Sequence, residues 1–175
     1  MRYFNESDIK NYSERRTVIL ENYNINKAFY ISQTDSVFLS HSSKDKSILK
    51  GVIAFLKDLG ADVYIDLNDI NLPTVPSPET ARRLKEQIKK CSKVVVLVSE
   101  NSKDSKWIPW EVGLADMDKT PKKIALLPKT EYEEAKWPKQ EYMGLYSRII
   151  QYGGLWYVQD AETGNKTLLE YWLKN

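Results

Sequence analysis

Residues 93–98 read KVVVLV, the most apolar run of strand length in the chain. Valine and leucine follow one another without the polar alternation of a half-exposed strand, so both faces of this strand must be covered. That is the mark of a central strand in a parallel sheet. Working outward, Ser36–Ser40 (SVFLS) and Asp62–Asp66 (DVYID) read as strands before it, and Lys123–Pro128 (KIALLP) and Leu155–Val158 (LWYV) as strands after it. Between the first two lies SSKDKSILKGVIAFLKDLG, where Ile48, Leu49, Val52, Ile53, Phe55, Leu56 and Leu59 share one helical face. Ser42 or Ser43 can cap that helix and Gly60 stops it. A second helix, ETARRLKEQIKKCS, turns Ala81, Leu84 and Ile88 inward; the basic outer face of Arg82, Arg83 and Lys85 is expected to be solvated, and Cys91 to be a small core residue. Helical text recurs from Ser105, around Glu131–Met143 and over Thr167–Leu173. Strand and helix thus alternate about five times, which predicts an α/β fold. Its form is a flavodoxin-like, five-stranded parallel sheet with helices on both faces and right-handed crossovers.

The first thirty residues carry a broken helical pattern (Ile9, Tyr12, Arg16, then Val18, Ile19, Tyr23, Ile25). They predict a short N-terminal helical extension over residues 1–34, with the main domain over 35–175. With 42% hydrophobic and 29% charged residues the composition is that of a globular protein, and a net charge of +2 gives no sign of a nucleic-acid binder. No run approaches a membrane span, and the polar N-terminus lacks a secretory apolar core. One cysteine fits a reducing, cytoplasmic setting. With His41 the only histidine, a zinc site of histidines and cysteines is excluded, and no GxSxG accompanies any serine. Neither GxGxxG nor a P-loop stands at any strand-to-helix turn, so a nucleotide here needs a cradle other than glycine-rich.

Ligands of open parallel sheets bind beyond the carboxyl ends of the strands. That rule selects Ser40–Ser43, Asp66–Asp69 and Ser99–Glu111. In the last, DSKWIPWEVGLAD (104–116), Pro109 fits only the first turn of a helix, so the helix begins near Ser105 or Lys106. Trp107 and Glu111 then share a face, and Val112, Leu114, Ala115 and Met117 supply the apolar contacts. Trp110 falls on another face, as core or subunit contact. A carboxylate near a helix N-terminus is favoured as the anion. Set beside an aromatic ring, it suits a cation-like transition state on a sugar.

These residues resemble the TIR (Toll/interleukin-1 receptor) domain family over about residues 35–160. The likeness rests on VFLSHSSKD (37–45), on DVYID (62–66) before a proline-containing loop, and on SKVVVLVSENSKDSKW (92–107) followed by Glu111. The resemblance implies NAD+ cleavage between nicotinamide and ribose, with Glu111 as the catalytic carboxylate and no cofactor or metal, NAD+ being the substrate. It implies substrate contacts from Ser40, His41, Ser42, Asp66, Asp69 and Trp107. Where many TIR NAD hydrolases have arginine-bearing text after the first strand, this chain has His41-Ser42-Ser43-Lys44, with Lys44 a substitute for diphosphate contacts. Leu67–Pro78 takes the place of the loop that closes over substrate and touches neighbouring subunits. Stand-alone bacterial TIR proteins of this size resemble the sensor arms of Thoeris-like anti-phage systems. There a cyclic ADP-ribose product activates a separate effector, with self-association through TIR–TIR contacts and no membrane or nucleic-acid partner. A non-enzymatic TIR adaptor is the competing reading, although scaffold TIR domains generally lack the glutamate. A nucleoside deoxyribosyltransferase-like fold is a third, opposed by the proline loop and the Ser102, Ser105, Trp107 spacing.

Overall fold

The computed structural model describes residues 1–15, 36–65, 77–131 and 141–175. Its strands are β1 (Phe4–Asn5), β2 (Ser36–Ser40), β3 (Asp62–Tyr64), β4 (Lys93–Val98), β5 (Ile124–Thr130), β6 (Ser147–Tyr152), β7 (Leu155–Gln159) and β8 (Lys166–Leu168). The helices are α1 (Glu6–Arg15), α2 (Lys46–Asp58), α3 (Pro78–Lys90), α4 (Trp107–Asp118) and α5 (Leu169–Lys174). The sheet runs β3-β2-β4-β5-β6-β7-β8, and β1 pairs with β5 off this path.

All six residues of β4 are buried, as its uninterrupted apolar text requires. Its side chains alternate between two cores. Val95 and Leu97 face the layer of α2, α1 and α5, while Val94, Val96 and Val98 face α3 and α4. Parallel pairing links β3, β2, β4, β5 and β6 in turn. Each fully buried valine or leucine contributes about 1.5–3 kcal/mol relative to exposure, so this central ribbon anchors the fold.

The expected last parallel strand is corrected here. Leu155–Gln159 pairs antiparallel with β6, and it is β6 that continues the parallel order after β5. The two are joined by Gly153 and Gly154 at φ +58° and +81°, a two-residue hairpin turn whose left-handed backbone suits glycine. β8 adds a further antiparallel edge, so the terminal helix starts at Leu169 rather than Thr167. Residues Glu141–Leu145 form a 3₁₀ turn, and the helical text expected over 132–140 lies outside the described residues. Met117 is also corrected: it is 89% exposed and gives α4 no core contact. The inward stripe of that helix is instead Ile108, Glu111, Val112 and Ala115. Pro109 sits in the first turn, as its missing N–H requires.

At the N-terminus, the expected helix forms as α1, while Val18 to Ile31 lie outside the described residues. The residues before it make a strand that the helical pattern does not announce. Phe4 and Asn5 pair in parallel with Lys129 and Thr130, past the point where β6 leaves β5. Arg2 holds Asp8 through both guanidinium nitrogens and lies over the Trp156 ring at 5.4 Å. Phe4 and Ile9 are buried in the core that α2 and β4 share, with Tyr12 packed against it.

Contact between α1 and α2 is made possible by Gly51. A Cβ there would meet the Ile9 carbonyl oxygen at 2.6 Å and the Ile9 side chain at 2.8 Å. The Ile9 oxygen is backbone and can move only with α1. Gly51→Ala is expected to destabilise the protein by about 1–3 kcal/mol, read as a lower urea midpoint.

On the other face, Ser77 caps α3 by accepting the Thr80 N–H at 3.1 Å. Arg82 pairs with Glu79 and Glu86 on the exposed side, as the solvated-face reading expects. Cys91 is 1% exposed, and burial pushes its thiol up to about 11. Native protein at pH 8 should therefore resist iodoacetamide, whereas urea-unfolded protein should take up one label, as mass spectrometry would show.

Candidate active site

Glu111 occupies an unusual place for a carboxylate. Its neighbours Ile108, Val112 and Ala115 define the buried stripe of α4, and Glu111 lies within that stripe at 2% exposure. A buried charge without partners costs several kcal/mol, so a glutamate at such a position must be held by polar groups. Ser40, the last residue of β2, donates its hydroxyl to Glu111 Oε2. The two meet at the carboxyl edge of the sheet, where strand-end ligand sites form. Glu111 is the fifth residue of α4, one turn after Trp107.

The segment after β2 supplies the surrounding groups. His41 is buried, with Nδ1 3.2 Å from the Leu39 carbonyl oxygen. A carbonyl only accepts, so Nδ1 carries the proton in this contact. Ser42 is buried and its hydroxyl accepts the Lys44 N–H, starting the 3₁₀ turn Ser43–Asp45 that leads into α2. Lys44 stands exposed with Nζ 3.5 Å from Asp104 Oδ2.

After β4, a capping box opens the next turn. Ser102 Oγ accepts the Ser99 N–H at 2.9 Å and donates to the Leu97 carbonyl at 3.0 Å. Ser105 Oγ then accepts the Ile108 N–H at 3.2 Å, fixing where α4 starts. The Trp107 ring stacks edge-on against Trp110, with centroids 5.4 Å apart and planes at 76°. Both indoles are half-buried against the α3–α4 core, and Lys85 lies 5.9 Å from the Trp110 centroid. Trp110 thus shares a contact with Trp107 that its separate helix face does not suggest.

Of the residues singled out from sequence, the fold brings Ser40 and Glu111 into direct contact and sets His41 and Ser42 beside them in the chain. Trp107 is one turn away. Asp66, Asp69 and the loop from Leu67 to Pro76 lie outside the described residues. Asp45, Ser99 and Asn101 form a polar cluster that the sequence reading did not single out. Asp45 accepts the Ser99 hydroxyl (2.7 Å to Oδ2) and Asn101 Nδ2 (2.6 Å to Oδ1). Its one sequence signal is the Ser99-x-x-Ser102 capping pair. Among the described residues no group of three or more histidine, cysteine, aspartate or glutamate side chains is placed to hold a metal.

A mostly parallel α/β sheet whose strand ends gather a buried, serine-held glutamate defines the class, and the family comparison agrees with it. The TIR domain family matches residues 37–167, and the chain belongs to that family. A Bacillus cereus (strain MSX-D12) protein named as a probable 3′ cyclic ADP-D-ribose synthase, ThsB′, is 35% identical over 157 residues, covering 87% of this chain and 72% of that protein. A longer Cytobacillus dafuensis protein, provisionally named cyclic ADP-D-ribose synthase TIR2, is 32% identical over 79 residues, 43% of this chain and 21% of its own length.

Proposed function

We propose that this TIR domain cleaves NAD+ between nicotinamide and ribose and passes the ADP-ribosyl group to a nucleophile within the same molecule, giving a cyclic ADP-ribose-type signal. The observation that carries this reading is the carboxylate of Glu111, kept in the buried stripe of α4 at the strand ends and held there by Ser40. The name borne by the relative that matches most of this chain supports the same chemistry.

The bond that breaks joins ribose C1′ to the pyridinium nitrogen. Its electron pair goes to the ring nitrogen, so nicotinamide leaves neutral and needs no protonation. Positive charge then builds at C1′ and the ring oxygen, as in glycoside cleavage. A fixed anion in a water-poor setting stabilises that charge, or orients the ribose hydroxyls that flank it, with little reorganisation. Glu111 fills this role, and the Ser40 hydroxyl sets the carboxylate's direction. Attack on C1′ by an internal hydroxyl, with loss of its proton, or by an adenine ring nitrogen, with loss of a proton from the neighbouring amino group, closes a ring; attack by water gives ADP-ribose. His41, Ser42 and Trp107 are assigned to substrate contact, with Asp66 and Asp69 from the loop after β3. Self-association that brings a neighbouring loop over the site, and a separate effector that responds to the product, complete the proposed signalling role in anti-phage defence. A cytoplasmic location is part of the same proposal; among the described residues no helix is long and apolar enough to cross a membrane.

The test is the mass of the nucleotide product after incubation with NAD+. A product lighter than ADP-ribose by one water is expected. ADP-ribose alone would restrict the activity to hydrolysis, and intact NAD+ would remove the enzymatic reading.

A further inference from the structure

Asp45 stands at the N-cap of α2, where an aspartate ordinarily accepts the N–H groups of its own helix. It makes no such bond. Its carboxylate is turned across the strand ends, 2% exposed, toward residues more than fifty positions away. The Ser99 hydroxyl lies 2.9 Å from Oδ1 and 2.7 Å from Oδ2, and Asn101 Nδ2 donates to Oδ1 at 2.6 Å. The network continues through Ser99 Oγ, which accepts the Asn101 N–H at 3.1 Å. The Ser99 N–H in turn donates to Ser102, and Ser102 to Leu97 of β4.

The segment held in this way is the one that leads into α4 and Glu111. This segment together with α4 is joined to the end of β2 and the segment after it at three points: Ser40 to Glu111, Asp45 to Ser99 and Asn101, and Lys44 to Asp104. The last is an exposed ion pair and contributes little. The Ser40–Glu111 contact belongs to the chemistry itself. Asp45 is therefore the buried tie that sets how far the Glu111-bearing segment stands from the end of β2. Charge-assisted hydrogen bonds to a buried carboxylate are short and directional, which suits a spacer more than a solvated ion pair does. A forgone helix cap, redirected across the site, has a clear use in this arrangement: it keeps the carboxylate of Glu111 and the hydroxyl of Ser40 in register before substrate arrives.

We propose that Asp45 is a positioning residue for Glu111, acting through Ser99 and Asn101 and touching no substrate atom. This inference rests on the NAD+-cleaving reading for its kinetic consequence, but not for its structural one. A displacement of about an ångström at a reacting group costs on the order of 100-fold in rate. Asp45→Ala should therefore lower kcat for nicotinamide release by about 10–100-fold, with KM changed less than about threefold. Asp45→Asn keeps one acceptor oxygen for the Ser99 hydroxyl and should restore most of the lost kcat.

The experiment pairs these kinetics with amide hydrogen exchange on the same purified full-length variants. Faster exchange confined to residues 99–106 in Asp45→Ala, with β4 and β5 as protected as in wild type, is the expected result. Three results overturn the proposal. The first is unchanged exchange over 99–106. The second is a kcat within about threefold of wild type despite local loosening. The third is a loss of protection spread over β4 and β5 in proportion to the lost activity, which would make Asp45 a general stability residue. Should wild-type protein release no nicotinamide, the proposed activity fails. The exchange arm then still decides whether Asp45 holds the segment that carries Glu111.

Discussion

Glu111→Gln is expected to lower the rate of NAD+ cleavage by about 10²–10³-fold while leaving the melting temperature unchanged or raised. The two halves of this result have one physical cause. Glutamine keeps the shape of glutamate and an oxygen that accepts the Ser40 hydroxyl, so packing in the α4 stripe of Ile108, Val112 and Ala115 is preserved. What is lost is a full negative charge held where a ribosyl cation develops. Burying that charge disfavours the folded state, since a carboxylate gives up its hydration on leaving water. Removing it should relieve that cost. Initial rates and thermal melts on the same samples check both halves. A variant that loses activity and stability together would point to Glu111 as a structural residue.

Phe55→Ala is expected to cost about 3–5 kcal/mol of folding stability, a large share of the roughly 5–15 kcal/mol that holds a domain folded. Phe55 is fully buried on α2 and forms the centre of an aromatic group drawn from distant parts of the chain. Its ring lies 4.8 Å from Phe4 of β1, 5.2 Å from Tyr12 of α1 and 4.9 Å from Trp156 of β7. Each such pair adds about 0.5–1.5 kcal/mol beyond area burial, and truncation removes all three while leaving a cavity among rigid rings. Denaturant unfolding measures the loss. A cost below about 1 kcal/mol would mean that β1 and α1 do not depend on this cluster.

How much of this was legible in the chain follows from which forces are local. Lys93–Val98 and Ser36–Ser40 read as strands because double-sided burial leaves no polar residue inside the run, and both are observed with those bounds. In β6, SRIIQY, only Ile149 and Ile150 form an apolar pair, too short to register, although Gly153-Gly154 before LWYV is a hairpin signal that was present in the text. β1 is two residues long and exists because it finds the free edge of β5; nothing local to Phe4 and Asn5 encodes that partner. The start of α4 was legible from Pro109. Its inward face was misread because Met117 looks apolar, while Glu111 belongs to the stripe that a charge would ordinarily leave. That mismatch between helical position and residue type is itself the strongest sign of the site. The tie from Asp45 to Ser99 spans 54 positions, and no spacing rule within either segment discloses it.

The most direct test of the account is nicotinamide release from NAD+, followed by chromatography. Wild type and Glu111→Gln should be assayed side by side at high protein concentration with a crowding agent, so that any self-assembly is complete. The account predicts that wild type frees nicotinamide in step with NAD+ loss, and that the variant does so at least about 100-fold more slowly. Equal release by both proteins would contradict the assignment of Glu111. NAD+ left intact by wild type, both in this assay and in phage-challenged cells expressing it, would contradict the enzymatic account and leave a TIR adaptor that acts by contact alone.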